Sequence, residues 1–346
     1  MTSPSIPIST IFIASDVVLD VALDAAAEAL RQRGHRVIRG PAAVPGTKTV
    51  FAPEDYAEFF GDTDVMVITT RSVVDSSVLD AAPRLRGIVF PSIGTESLDM
   101  ADATRRGLIV ANGATPENFE SMAEATVMLM LNLFYDLDRS RQLLHDDAPR
   151  PRTLTARMLR GKTIGLIGFG RIARGVVQRL QGWGVNIVVC KPGLAANRLP
   201  PGVRLVDMAQ LLAASDVVSV HTTLNSSSMH LIGAPELAQM KPGAYLINTA
   251  RGGCVDERAV YEALARGQIA GAALDAFDVE PLPVDSPLRR LDNAILTPHM
   301  VGHTRELFAS FAPACVENVC NILEGRMPRY ACNADALSGG LSAASA

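Results

Sequence analysis

Three side chains with complementary chemistry follow apolar segments in the second half of the chain. Arg251 directly follows the segment AYLINTA, Glu280 comes three residues after AALDAF, and His299 follows AILTP. Each segment has the length and apolar character of a buried strand. Ligands bind outside the carboxyl ends of the strands in an open parallel sheet, so we expect these three side chains to project toward one crevice.

The residue types of this set suit one kind of reaction. An arginine fork binds a carboxylate through two hydrogen bonds, and a histidine exchanges a proton near neutral pH. A carboxylate beside that histidine favours the imidazolium and fixes the ring. Together they suit hydride transfer between a nicotinamide and a carbon that bears a 2-hydroxy or 2-oxo group. Each residue alone is also compatible with an ordinary loop position, and the pattern does not separate His299 from His221, His230 and His303.

A glycine loop supplies the expected cofactor site. The segment TIGLI (163–167) runs into Gly168-Phe169-Gly170-Arg171-Ile172-Ala173, and a helical pattern follows to about Trp183. The first glycine permits a tight turn, the second lets the backbone approach a pyrophosphate, and Ala173 allows close packing of helix on strand. The G-x-G-x-x-A motif alone is a weak signal, but its position between a strand and a helix strengthens the prediction of a dinucleotide site.

Lys191 occupies an unusual place in this segment. It ends the apolar run IVVC and lies 21 residues beyond Gly170, where a carboxylate usually holds the ribose hydroxyls of the adenosine. An ammonium group cannot accept those hydrogen bonds, but it can neutralise a 2′-phosphate. The sequence therefore predicts NAD(H) or NADP(H) as cofactor and leaves the preference open, because Lys191 pointing into solvent is an equal alternative.

The composition excludes several other classes of function. The chain has 346 residues, is 48% hydrophobic and carries a net charge of −4, so it offers no global basic field for nucleic acid or an anionic membrane. Its five cysteines are scattered without a CxxC pair, and we predict reduced thiols, a cytoplasmic location and no metal site. The segment 122–134 is too short to span a bilayer, and we predict a buried helix there. The N-terminus lacks the early basic residues of a secretory signal.

Short apolar runs alternate with helical patterns along most of the chain. This alternation predicts an α/β fold of two Rossmann-like or flavodoxin-like domains, each with a parallel sheet, and a cleft between them. A polar, proline-containing segment (145–162) interrupts the pattern. We predict a substrate-binding domain from residues 1–111 plus 300–335, a dinucleotide-binding domain from 112–299, and a disordered tail at 336–346.

Several blocks resemble the D-isomer-specific 2-hydroxyacid dehydrogenases, the family that includes phosphoglycerate dehydrogenase and hydroxypyruvate reductase. The resemblance extends over roughly residues 60–330. It lies in five blocks that occur in the family's order: SIGTESLDMADATRRGLIVANGATPENFESMAEATVMLML (92–131), GKTIGLIGFGRIARGV (161–176), LINTARGGCVDERAVYEAL (246–264), GAALDAFDVEPLP (271–283) and ILTPHMVGHT (295–304).

The resemblance implies a role for each matching residue. Arg251 would orient the substrate carboxylate, His299 would be the acid/base, and Glu280 would pair with His299. Asp275 would meet the nicotinamide carboxamide. The other implied cofactor-binding residues are Gly168, Gly170, Arg171, Ile172, Lys191, Thr222, Thr249, Ala250 and Gly302, and the other implied substrate-binding residues are Arg71, Ser92, Ile93 and Gly94. The family also implies a homodimer docked through the nucleotide-binding domain.

Departures from the family pattern refine these expectations. The loop Arg71-Ser72-Val73-Val74 lacks the additional basic residue expected for a phosphorylated substrate, which favours a small unphosphorylated 2-oxo acid. Glu280, where an amide side chain would stand in formate dehydrogenases, argues against that branch. Thr223 replaces a more usual proline on the adenine side.

The sequence thus predicts an enzyme that interconverts a small 2-oxo acid and its D-2-hydroxy acid. Two alternatives stay open. One is oxidation of phosphite, which uses a related Arg–Glu–His set, and the other is a non-catalytic protein of the same fold that senses NAD(H).

Overall fold

A computed structural model of the chain describes residues 8–153 and 155–337. The chain divides into two compact units, each with its own sheet. The terminal unit comprises Met1–Asn118 and Thr304–Ala346, and the central unit comprises Phe119–His303. Every pairing between extended strands of the described residues is parallel. The α/β class predicted from the alternating pattern is confirmed.

The terminal unit contains a five-stranded sheet with the order β2-β1-β3-β4-β5. Its strands are β1 (Thr10–Ile13), β2 (Arg36–Arg39), β3 (Val65–Val67), β4 (Gly87–Val89) and β5 (Ile109–Ala111). Its helices are α1 (Asp20–Gln32), α2 (Tyr56–Phe59), α3 (Ser76–Asp80), α4 (Met100–Arg105) and α11 (Arg305–Leu323). This strand order is the flavodoxin-like arrangement, in which the order reverses between β1 and β3.

The side chains of β1 alternate between two apolar cores, one on each face of the sheet. Successive side chains of a strand point to opposite faces of the sheet. Ile11 and Ile13 are fully buried on one face against the apolar sides of α1 and α11. Phe12 is fully buried on the other face, where it meets Phe51 and Phe60 edge to face at ring-centroid distances of 5.5 and 5.0 Å.

The central unit contains a seven-stranded sheet with the order β12-β11-β10-β9-β6-β7-β8. Its strands are β6 (Thr163–Ile167), β7 (Asn186–Cys190), β8 (Val203–Leu205), β9 (Val217–Val220), β10 (Tyr245–Asn248), β11 (Gly271–Leu274) and β12 (Ala294–Leu296). Its helices are α5 (Pro116–Tyr135), which starts just before the unit does, α6 (Leu137–His145), α7 (Arg171–Arg179), α8 (Met208–Ala214), α9 (Ala234–Gln239) and α10 (Glu257–Ala265). The order reverses at β6, the strand that precedes the glycine loop.

The structure adds and shortens elements relative to the sequence prediction. The strands β5 and β8 were not predicted, and the helix after the glycine loop ends at Arg179 rather than at about Trp183. No helix or strand occurs in the described residues between 146 and 162. Of the predicted disordered tail, residues 336 and 337 lie in a helical turn, and 338–346 lie outside the described residues. No helix in the described part of the chain is long and apolar enough to cross a membrane.

Candidate active site

The carboxyl edge of the seven-stranded sheet carries most of the predicted site residues. Each lies in the loop that follows a strand, so the parallel sheet brings residues far apart in the chain to one edge. In strand order along the chain, Gly168, Gly170, Arg171 and Ile172 follow β6, Lys191 follows β7, Thr222 follows β9, Thr249, Ala250 and Arg251 follow β10, Asp275 and Glu280 follow β11, and His299 and Gly302 follow β12.

His299 and Glu280 form a direct contact at this edge. The Nδ1 atom of His299 lies 2.8 and 2.9 Å from the two carboxylate oxygens of Glu280. Both strands end earlier than the sequence suggested, so Glu280 lies six residues beyond β11 and His299 three beyond β12. The loops rather than the strand ends therefore bring the two side chains together. The carboxylate of Glu280 also accepts the N–H of Phe277 at 3.0 Å, which folds the loop back on itself.

Opposing effects act on the pKa of Glu280. Partial burial raises the pKa of this carboxyl, because the charged form loses water. The hydrogen bond and the charge of His299, the N–H of Phe277 and the charge of Arg251 all lower it, and the net pKa lies below its ordinary value. Glu280 is therefore a carboxylate at neutral pH, and its negative charge faces the ring of His299.

Asp275 anchors the loop that carries His299. Its Oδ1 atom accepts the Thr297 hydroxyl at 2.7 Å and the backbone N–H groups of Met300 and Val301 at 2.9 and 3.1 Å. Burial raises the pKa of Asp275, although these hydrogen bonds counteract it. The three bonds hold residues 297–301 in a tight turn, in which His299 adopts a left-handed φ of 55°. This anchoring role was not predicted from the sequence.

Asn248 organises the loop that carries Arg251. Its side chain is fully buried at the end of β10, donates to the carbonyl of Arg251 at 2.8 Å and accepts the N–H of Ala250 at 3.1 Å. The guanidinium of Arg251 donates to the carbonyl of Ala250, also at 2.8 Å. Arg251 lies three residues beyond the strand rather than directly after it, and its charge still acts on Glu280.

The glycine loop has the local geometry that a bound anion requires. Gly168 has a φ of +94°, and a Cβ atom there would lie 2.3 Å from the carbonyl oxygen of His221, so this position accommodates only glycine. A Cβ atom on Gly170 would meet no other protein atom within 4 Å. The helix α7 begins at the next residue without a side-chain cap, which leaves its first N–H groups for a ligand.

Two cationic side chains lie near this loop. The guanidinium of Arg171 stacks on the ring of Phe119 with its central carbon 4.6 Å from the ring centroid. Lys191 is exposed directly after β7, and its ammonium group has no ion-pair partner among the described residues. Lys191 therefore carries an uncompensated charge at the end of the strand next to β6.

His221, one of the competing histidines, has a different environment. Its Nε2 atom lies 2.9 Å from the hydroxyl of Ser219. Burial lowers the pKa of His221 to about 4, because the charged ring would lose its water. His221 is therefore neutral near pH 7, and its backbone carbonyl packs against Gly168. His299, in contrast, faces a carboxylate.

The predicted substrate-binding residues follow two strands of the terminal unit. Arg71 follows β3, and the loop Ser92-Ile93-Gly94 follows β4. The carbonyl of Ser92 accepts the N–H of Gly113 at 2.9 Å, which ties this loop to the segment after β5. The guanidinium of Arg71 contacts Asp16, a buried residue that was not singled out from the sequence.

Comparison with known proteins identifies the family. The family model for the NAD-binding domain of the D-isomer specific 2-hydroxyacid dehydrogenases matches residues 127–301. The chain is 38% identical to a glyoxylate reductase of Thermofilum pendens over 80% of this chain and 83% of that protein. The chain therefore belongs to the D-isomer-specific 2-hydroxyacid dehydrogenase family, whose members are oxidoreductases that act on CH–OH groups with a nicotinamide cofactor.

Two further relatives describe the range of this similarity. The chain is 34% identical to a D-3-phosphoglycerate dehydrogenase of Archaeoglobus fulgidus over 83% of this chain, but it spans only 54% of that longer protein. The crystal structure of a glyoxylate reductase from Paecilomyes thermophila matches 94% of this chain and 98% of its own with a TM-score of 0.81 and 25% identity.

Proposed function

We propose that the chain reduces a small 2-oxo acid to its D-2-hydroxy acid with NADH or NADPH, and catalyses the reverse oxidation. The observation that carries this proposal is the contact of His299 Nδ1 with both carboxylate oxygens of Glu280. Because Nδ1 is engaged, Nε2 is the ring atom left to face a substrate oxygen. A histidine oriented in this way by a carboxylate is suited to exchange a proton with that oxygen.

Each residue of the set has a separate task in this mechanism. A reduced nicotinamide, when bound, would supply the hydride. Arg251 binds the substrate carboxylate through its guanidinium, and Arg71 and the backbone N–H groups of Ser92-Ile93-Gly94 provide further donors to the substrate. His299 holds a proton on Nε2 and delivers it to the carbonyl oxygen at C2, while the charge of Glu280 stabilises the imidazolium before transfer. In the oxidation direction, His299 accepts that proton.

The cofactor site is proposed from the glycine loop and its neighbours. The open space at Gly170 and the uncapped start of α7 suit a pyrophosphate, beside Arg171 and Ile172. On the nicotinamide side, Oδ1 of Asp275 is occupied by three donors, and Oδ2 has no hydrogen bond among the described residues. We propose Oδ2 as the acceptor for the carboxamide N–H. Four more residues are proposed along this edge: Thr222, Thr249, Ala250 and Gly302.

We further propose that Lys191 contacts the 2′-phosphate of NADPH. Its exposed, uncompensated ammonium at the end of β7 supports this assignment, because a carboxylate there would repel the phosphate.

The test compares kcat/KM for NADPH and NADH in the wild type and in Lys191→Asp. We expect NADPH to be used at least as well as NADH, and the variant to favour NADH by more than tenfold. The control Arg198→Ala, in the next exposed turn, should leave the ratio within threefold. An unchanged ratio in Lys191→Asp refutes the contact.

The substrate is proposed to be small and unphosphorylated. The relative of Thermofilum pendens is a glyoxylate reductase, and the loop Arg71-Ser72-Val73-Val74 carries a single basic side chain. Glyoxylate and hydroxypyruvate are therefore the first substrates to assay.

A substitution of His299 tests the central assignment. We expect His299→Gln to lower kcat for reduction by a factor of about 100 to 10,000, the usual loss when a general acid is removed. Binding of NADPH, followed by its fluorescence, should change less than threefold. The matched control is His145→Gln, because His145 also lies beside a carboxylate, Asp146 at 3.1 Å, but on the exposed helix α6. Turnover within threefold of the wild type in His299→Gln refutes the assignment.

We also propose that the protein is a homodimer associated through the central unit. None of the nine residues of α6 is buried, and Leu144 is 85% exposed. Tyr135 at the end of α5 and Leu137 at the start of α6 are also exposed. A second copy would cover this apolar surface. The five cysteines are free thiols, in keeping with the cytoplasmic location proposed from the sequence.

A further inference from the structure

A buried carboxylate in the terminal unit has no task in the mechanism above. Asp16 lies after β1, and its side chain is 1% exposed. Its Oδ1 accepts the N–H groups of Val18 at 2.8 Å and Leu19 at 3.1 Å, and its two oxygens lie 3.3 and 3.2 Å from Nη1 of Arg71. Burial raises the pKa of Asp16, but these donors lower it below its ordinary value. Asp16 is therefore charged at neutral pH and paired with Arg71.

The pair lies where this kind of sheet binds ligands. In the order β2-β1-β3-β4-β5, the strand order reverses between β1 and β3. Ligands of flavodoxin-like sheets bind outside the carboxyl ends of the strands at that switch point. Asp16 follows β1 and Arg71 follows β3, so their ion pair spans this point.

Arg71 retains hydrogen-bonding capacity in this arrangement. Its side chain is 43% exposed although its partner is buried. Nη1 is directed at Asp16, whereas Nε and Nη2 have no acceptor among the described residues. A guanidinium has five N–H donors in a rigid plane, so anchoring one nitrogen orients the others. Asp16 therefore holds Arg71 with part of its fork presented to a ligand.

The charged side chains at this end of the sheet have no net positive charge. The nearby Arg39, at the end of β2, is itself paired with Asp20 at 2.9 Å and Asp24 at 3.2 Å. Two guanidinium groups thus face three carboxylates: those of Asp16, Asp20 and Asp24. The switch point offers oriented donors without net positive charge, which suits a hydroxyl or carbonyl oxygen and disfavours a dianionic phosphate.

We propose that Asp16 is a positioning residue that sets substrate specificity through Arg71. It directs the free part of the Arg71 fork toward the substrate and cancels the charge of Arg71, so that the enzyme favours 2-oxo acids whose C3 substituent is absent or uncharged. Substrates with a second anionic group are disfavoured. This inference rests on the proposed function, in which Arg71 contacts the substrate.

The test compares hydroxypyruvate with 3-phosphohydroxypyruvate, which differ only in the phosphate. In Asp16→Asn the charge of Arg71 is no longer cancelled, so we expect the ratio of kcat/KM for the phosphorylated over the unphosphorylated substrate to rise at least tenfold. Most of the change should be a lower KM for 3-phosphohydroxypyruvate. A ratio within threefold of the wild type overturns the proposal.

A second buried aspartate of the same unit provides a matched control. Asp64 accepts the N–H of Thr10 at 2.8 Å and pairs with Arg84 at 3.1 Å, but it precedes β3 and so lies at the opposite edge of the sheet. Asp64→Asn removes the charge of a similar ion pair. We expect a comparable loss of thermal stability and no change in the substrate ratio. An equal change of ratio in Asp64→Asn overturns the specific role of Asp16.

Arg71→Lys tests the proposal independently if Asp16→Asn does not fold. Lysine keeps the charge beside Asp16 but lacks the fork. We expect the KM for hydroxypyruvate to rise about tenfold, with kcat and the substrate ratio within threefold of the wild type. An unchanged KM overturns the proposal. Wild-type protein that reduces neither substrate refutes the proposed function itself, whereas activity on hydroxypyruvate with unaltered variants refutes only the role of Asp16.

Discussion

Replacing Glu280 with glutamine should slow reduction by removing the charge that faces His299. A hydrogen bond to a charged group contributes about 1.5–3 kcal/mol. The side chains of His299 and Glu280 are 40% and 33% exposed, so solvent screening reduces this contribution to about 1–2 kcal/mol. About 1.4 kcal/mol corresponds to a factor of ten in rate, so kcat/KM should fall about 5- to 30-fold.

The assay is the initial rate of NADPH oxidation with glyoxylate from pH 5 to 9. The loss in Glu280→Gln should be largest where Glu280 carries its charge, because the interaction with His299 depends on that charge. Because the pKa of Glu280 is lowered, this carboxyl is charged and interacts with His299 at every pH above its ordinary pKa of 4.5. The charge and the interaction are lost as the pH falls through the lowered pKa.

Glu257→Gln is the control for this prediction. The charge of Glu280 acts on Glu257, but Glu257 accepts the N–H of Asp278 at 2.6 Å and is not hydrogen-bonded to His299. Its substitution should change kcat/KM less than threefold. Equal effects of the two variants, or no effect of Glu280→Gln at any pH, would refute the view that the direct contact with His299 matters.

Three other predictions concern the cofactor loop, pH and association. The free energy of unfolding of Gly170→Ala should lie within about 0.5 kcal/mol of the wild-type value, yet its KM for NADPH should be at least tenfold higher. Gly168→Ala should lower stability, because its Cβ atom would lie 2.3 Å from a carbonyl oxygen. The pKa of His221 is lowered to about 4, so between pH 6.5 and 4 the unfolded chain binds a proton that the folded chain does not. Measured by urea unfolding, the free energy of unfolding of the wild type should therefore fall by about 1–2 kcal/mol more than that of His221→Asn between pH 7.5 and 5. Equal losses in the two proteins would contradict this. In light scattering, Leu144→Glu should yield monomers, whereas Val21→Glu, at an apolar residue that is 84% exposed on α1, should yield dimers; dimers in both would exclude the surface of α6.

The strands that could be predicted are those that are buried on both faces of the sheet. The strands β6, β7 and β10 are such strands, and each is recognisable in the sequence as a continuous apolar run. The strands β5 and β8 lie at the edges of their sheets, and β8 has the sequence VRL with an exposed arginine at its centre, so no continuous apolar run marks it. The prediction that the helix 122–134 is buried rather than membrane-spanning agrees with α5, where nine residues are buried.

The candidate site was predictable in residue type but not in its supporting contacts. Arg251, Glu280 and His299 stand out because polar residues after apolar strands meet at one edge of a parallel sheet. The bonds that orient them depend on loop conformation. Asp275 anchors residues 22–26 positions further along the chain, and Asp16 reaches Arg71 across 55 residues. Nothing in local spacing indicates such pairs.

The most direct test of the central claim is the initial rate of NADH and NADPH oxidation with glyoxylate and hydroxypyruvate, in wild type and His299→Gln. We predict oxidation with at least one 2-oxo acid, a product of D configuration from hydroxypyruvate, and loss of at least 99% of this rate in the variant with cofactor binding retained. Cofactor binding without turnover of any 2-oxo acid would contradict the account and favour a sensing protein, and reduction of NAD by phosphite would identify the other alternative.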